Sequence, residues 1–163
     1  ILEEHQRNRI ITFLDPFSDP LGKGYQVIQS IISIGSGGLW GKGLGNGTQT
    51  QLKFLPVRDS DFIISVIGEE LGFVTIFFIL LAITFLTYWV LEYLSKVENN
   101  FSGLLLIGLF TIIFMHAIIN MGMVAGLFPV TGLPMPFISY GGSFFISCSI
   151  MIGLINNIIN NQI

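Results

Sequence analysis

Beyond position 61 the chain alternates long apolar runs with short polar breaks, whereas before it apolar and polar residues are mixed at short range. A helix needs about 20 predominantly apolar residues to cross the hydrocarbon of a bilayer. Three runs approach or exceed that length. The first covers about 62–94, with no charge between Leu71 and Leu91; the second covers about 101–128, interrupted by His116 and Asn120; the third, shorter, covers about 143–159. A hydrophilic break at 92–100 and a Pro- and Gly-rich turn at 129–142 separate them. The pattern predicts an all-α integral membrane protein, a polytopic helical bundle with three transmembrane helices in its 62–163 domain.

Residues 1–61 read as a second, water-facing domain. It holds most of the charge, many of the glycines, and Pro16, Pro20 and Pro56, which are breakers of regular structure. Inside it, Val27, Ile28, Ile31, Ile32 and Ile34 are interleaved with Gln26, Gln29, Ser30 and Ser33. That spacing predicts a short amphipathic helix lying on a membrane surface.

Composition agrees with this division. Hydrophobic residues make up 52% of the chain and charged residues 10%, against about 25% charged in a soluble domain, and the mean hydropathy is +0.76. No Asp, Glu, Lys or Arg follows Glu98, a distribution that a water-soluble domain does not tolerate. Six of the seven basic residues lie in the first 58 positions without forming a basic run, so nothing points to nucleic acid. By the positive-inside rule that bias places residues 1–60 in the cytoplasm, although the short loop after the first span offers only Lys96 to the count. Cys148, the single cysteine, permits no intrachain disulfide. Glycine-rich nucleotide loops are excluded by spacing. Gly41-Lys42 would need Gly where Ser36 stands and Ser or Thr where Gly43 stands, and no G-x-G-x-x-G occurs. The chain begins at Ile1 without a signal-peptide pattern. It reads as a fragment lacking upstream segments, and three helices, the first with acids buried in its apolar run, are expected not to fold alone.

Two long motifs carry a resemblance. GKGYQVIQSIISIGSGGLWGKGLGNGTQTQLKFLPVRDSDFIISVIGEELGF, residues 22–73, and NMGMVAGLFPVTGLPMPFISYGGS, residues 120–143, resemble the large extracytoplasmic loop with its following helix, and the last such loop, of the RodA/FtsW/SpoVE (SEDS) peptidoglycan glycosyltransferases. The GTQ and GLPMP variants are closer to the RodA branch. The resemblance implies the last third of a ten-helix fold in the bacterial cytoplasmic membrane. It places residues 1–61 and 129–142 outside the cell, against the charge rule, and the C-terminus in the cytoplasm. It also implies polymerisation of lipid II during cell elongation: a sugar hydroxyl attacks the donor's anomeric carbon and undecaprenyl diphosphate leaves. The implied partners are a class B penicillin-binding protein and other membrane proteins of the elongation machinery.

Asp61 matches the carboxylate that the family needs for polymerisation. An attacking alcohol requires a proton acceptor within hydrogen-bond reach, and an Asp just before an apolar helix is also a common N-cap; both roles stay open. Around it Val57 stands where the family has Glu, Asp59 where it has His and Ser60 where it has Thr, so Asp59 is a second candidate base. Glu69 lies about 12 Å and about 80° from Asp61 on an ideal helix, Glu70 about 180° away. Glu69 either shares the Asp61 cavity or forms a structural ion pair with other helices. Lys42 and Arg58 are candidates to meet the diphosphate, or else solvated loop cations. Gln29, Ser30 and Gln49, with Gln26 and Gln51, could bond sugar or peptide groups. His116 and Asn120, four apart, could form a polar relay or interhelical hydrogen bonds. Ser139 and Tyr140, in the SYGGS turn, are candidate walls of the cavity. No metal-ligand spacing is present and no cofactor is implied, although a divalent cation could assist the diphosphate. The rival readings are a flippase for a lipid-linked substrate and a non-catalytic scaffold of the elongation machinery.

Overall fold

The computed structural model describes residues 11–16, 22–52, 60–97 and 99–161. Among them every regular element is helical: a single turn at 11–14, then α1 (Lys23–Gly37), the single turn α2 (Thr48–Gln51), α3 (Ile63–Leu94), α4 (Asn100–Val124) and α5 (Gly142–Asn161). Helices α3, α4 and α5 are each long and apolar enough to cross a membrane, as the hydropathy pattern requires. The predicted amphipathic stretch forms the middle of α1.

Helix α4 packs against both α3 and α5, while α1 lies on the first part of α3. Two apolar clusters hold the bundle. Near the Asp61 end Phe62, Ile64, Ile76, Ala117, Met123, Val124 and Met135 pack together; at the far end Val90, Leu106, Phe110, Ile113, Ile155, Ile158 and Ile159 do so.

At 32 residues, α3 would be about 48 Å long if straight, well beyond the roughly 30 Å of hydrocarbon. It is not straight. Gly72 has φ 82° and ψ 179°, a conformation essentially restricted to glycine, and it breaks α3 into two pieces. The break frees four backbone groups, and the loop after α1 takes up all four. Phe73 N donates to Gly38 O at 2.9 Å, Val74 N to Leu39 O at 3.1 Å, Lys42 N to Glu69 O at 2.9 Å and Gly43 N to Glu70 O at 2.9 Å. An irregular backbone at a membrane helix is tolerated where protein groups satisfy it in this way. The approach is close enough that a Cβ on Gly37, Gly41 or Gly72 would strike opposing backbone. The segment after the break, about 33 Å, matches a bilayer.

Helix α4 ends at Val124, four residues before the apolar run does. Gly126 has φ 75°, and Gly126 N bonds Met123 O at 3.0 Å while Leu127 N bonds Gly122 O at 2.7 Å. This Schellman arrangement terminates helices at glycine; Phe128 folds back onto Gly122 instead of extending the helix.

Candidate active site

Asp61 lies in the turn that leads into α3. Its backbone is clamped from two directions. Asn120, fully buried near the end of α4, donates from Nδ2 to Asp61 O at 2.8 Å and to Leu133 O at 2.7 Å. From the segment before α5, Ser139 Oγ donates to Ser60 O and accepts from Met135 N. The same segment places Phe137 at φ 62°, a left-handed conformation unusual for a bulky residue.

Asp61 itself is half-buried. Ser60 Oγ donates to its Oδ1 at 3.0 Å, and a Cβ on Gly132 would sit 3.3 Å from Oδ2. Phe62 holds the cap position of α3, and no side chain caps that helix. Capping is therefore not what this carboxylate does. Beside the turn an open groove is lined by Ile63, Ile138, Ser139, Tyr140, Gly141, Gly142 and Phe145.

Glu69 has the opposite surroundings. Its side chain is 0% exposed, and both oxygens are enclosed by donors from residues 42–50. Oε1 accepts from Lys42 Nζ at 2.8 Å, Thr48 Oγ1 at 3.1 Å and Gln49 N at 3.0 Å; Oε2 accepts from Thr50 N at 3.1 Å and Thr50 Oγ1 at 2.9 Å. The single turn α2 thus wraps its amides around a carboxylate that reaches it from α3.

Comparisons with known proteins bear on what this arrangement is. The FTSW_RODA_SPOVE family, described as cell cycle protein, matches residues 1–162. The chain belongs to this family. It is 45% identical over 158 residues to the peptidoglycan glycosyltransferase MrdB of Escherichia coli (strain K12), covering 97% of this chain and 43% of that protein. It is 39% identical over 155 residues to a probable peptidoglycan glycosyltransferase FtsW of Geobacter metallireducens, covering 95% and 41%. A solved structure described as "Structural coordination of polymerization and crosslinking by a peptidoglycan synthase complex" contains a chain that matches with TM-score 0.76 and 33% identity, over 99% of this chain and 43% of that one. The chain therefore spans less than half the length of the relatives it matches. Family membership and the three apolar helices make it an integral membrane protein.

Within this FtsW/RodA/SpoVE fold the expected site residues divide. Ser139 and Tyr140 are brought to the Asp61 end, Ser139 against Ser60 and Tyr140 exposed on the groove. Glu69 does not open onto an Asp61 cavity, since the 42–50 segment of the same chain encloses it. Lys42 is held on Glu69 and Thr48, which makes it a structural cation before it is a diphosphate ligand. Ser30 is fully buried and donates to Val124 O at 2.7 Å, fastening α1 to the end of α4 instead of facing a substrate. Gln49 contributes its backbone amide to Glu69, and Gln29 is half-buried on α1. Arg58 and Asp59 lie outside the described residues. Among the described residues no three His, Cys, Asp or Glu are grouped as metal ligands would be. Of the two uses open to His116 and Asn120, a relay or hydrogen bonds between elements, Asn120 shows the second, its amide serving the Asp61 turn, while the His116 ring stacks on Phe144 at 5.0 Å. Sequence reasoning missed Asn120 as a clamp on Asp61, and Thr48 and Thr50 as partners of Glu69. The only signals were a polar residue in an apolar run and a carboxylate in need of partners.

Proposed function

We propose that this chain is the part of a lipid II polymerase that carries its general base, Asp61. A sugar hydroxyl of the acceptor gives its proton to the Asp61 carboxylate as it attacks the donor's anomeric carbon, and undecaprenyl diphosphate departs. The observation that carries this reading is the asymmetry at Asp61: its backbone carbonyl is fixed by Asn120 and its neighbour's by Ser139, while the residue is only half-buried. A general base needs that combination of fixed position and open access. The relatives named as peptidoglycan glycosyltransferases support it.

In this reading residues 1–61 and the segment 125–141 face the outside of the bacterial cytoplasmic membrane and the C-terminus faces the cytoplasm. Helices supplied by the rest of the protein complete the donor pocket. A class B penicillin-binding protein cross-links the product, in keeping with the polymerisation and crosslinking named for the matching synthase complex.

The test is polymer formation by the full-length protein given lipid II. Asp61→Asn, which keeps size and the backbone clamp, should lower the rate about 100- to 10,000-fold, the range that general-base catalysis supplies. An undiminished rate would remove Asp61 from the chemistry and make Asp59→Asn the next variant. Translocation of lipid II without any polymer would replace the polymerase by a flippase.

A further inference from the structure

The loop joining α1 to α2 exposes large apolar side chains: Leu39 is 64% exposed, Trp40 81% and Leu44 74%. Their height along α3 is set by the backbone bonds that repair the helix break. Gly38 O and Leu39 O accept from Phe73 N and Val74 N, so Leu39 and Trp40 stand beside the first residues of the segment that fits a bilayer. Phe73, Phe77 and Phe78 continue the exposed apolar surface downward from that level. About 24 Å further along α3, Trp89 and Tyr93 pack edge to face, and Lys96 lies 4.7 Å from the centre of the Tyr93 ring. Tryptophan and tyrosine concentrate at both boundaries of a membrane because the ring is apolar and the N–H or O–H seeks water. Trp89, Tyr93 and Lys96 mark one boundary. Trp40 occupies the level of the other.

We propose that Leu39 and Trp40 are a lipid anchor, inserted at the acyl–headgroup boundary on the side of the membrane that carries Asp61. The occupant of this surface is bilayer lipid, since exposed Leu39 and Trp40 stand at the level where the bilayer-length segment of α3 begins, with exposed Phe73, Phe77 and Phe78 following along that segment. The rigid ties between this loop, Gly72 and the Glu69 socket let the anchor set the depth of the first piece of α3, which begins at the Asp61 turn. The inference does not depend on the reaction assigned to Asp61.

The experiment uses full-length protein in nanodiscs of phosphatidylcholine and phosphatidylglycerol, with every native cysteine replaced. A nitroxide on Trp40→Cys should be relaxed more strongly by oxygen, which partitions into lipid, than by the water-soluble nickel chelate NiEDDA. A nitroxide on Asn46→Cys, in the same loop, should show the reverse. Greater access to the chelate at position 40 would overturn the anchor, and so would access to neither relaxant, which would place another part of the protein over the loop. The native side chain gives an independent reading: brominated lipids should quench the wild type more than Trp40→Phe. Equal quenching of the two would likewise overturn the proposal.

Discussion

Two carboxylates eight residues apart on one segment meet opposite fates. Glu69 is sealed from solvent and saturated by five donors; Asp61 is held by its backbone and, among the described residues, its carboxylate accepts from one neighbouring hydroxyl. A buried charge is tolerated only when paired and hydrogen-bonded, so the Glu69 surroundings are those of a structural lock. It fastens residues 42–50 to α3 at the point where α3 is broken. Asp61 shows the complementary economy: the backbone carbonyls of Ser60 and Asp61 take the contacts from Ser139 and Asn120, and among the described residues only Ser60 Oγ donates to the carboxylate. Hydrogen-bond count thus separates the two acids better than proximity to the membrane surface does.

Substitutions can sharpen or break this contrast. The largest effect on rate is expected for Asp61→Asn, with stability changed by no more than about 0.5 kcal/mol because the clamp on its carbonyl persists. A large loss of thermal stability in that variant would show the carboxylate to be structural after all. Glu69→Ala should instead cost about 3–5 kcal/mol, since the Lys42 ammonium and two threonines lose their shared partner; thermal unfolding of the purified full-length protein measures it. A variant as stable as wild type would mean that the lock is dispensable. Gly72→Ala should cost about 2–4 kcal/mol, from a glycine-only conformation and a Cβ placed against Leu39, Trp40 and Gly41 backbone. Asn120→Ala should cost about 1–3 kcal/mol by stranding two partly buried carbonyls, and should lower the polymerisation rate while leaving the apparent affinity for lipid II unchanged. Ser139→Ala, which removes the hydroxyl shared by Met135 N and Ser60 O, should cost about 0.5–1.5 kcal/mol. If Asn120→Ala weakened substrate binding without slowing turnover, the clamp would be holding the pocket wall and not the base.

The regions differ equally in how far the sequence disclosed them. Helices α3, α4 and α5 could be read from run length and the absence of charge, because lipid admits few alternatives to a helix. The break at Gly72 could not be read that way. A glycine in an apolar helix is common, and only the docking of residues 38–43 makes it necessary. The amphipathic stretch announced α1, but α1 rests on α3 and α4 through contacts such as Gly37 on Gly68 and Ser30 on Val124, which no local pattern encodes. The early end of α4 had a legible signal in Gly126, outweighed by the apolar run that continues to Phe128.

The sequence by itself determined that this stretch of a membrane protein has three runs long and apolar enough to cross a bilayer, and its motifs singled out Asp61. A transfer free energy summed over about 20 residues is insensitive to neighbours. Which polar residue meets which partner was decided only in three dimensions. The donors to Glu69 come from 19 to 27 positions away and the clamp on Asp61 from 59, and a hydrogen bond worth about 1 kcal/mol forms only when packing has already brought its two ends within about 3 Å.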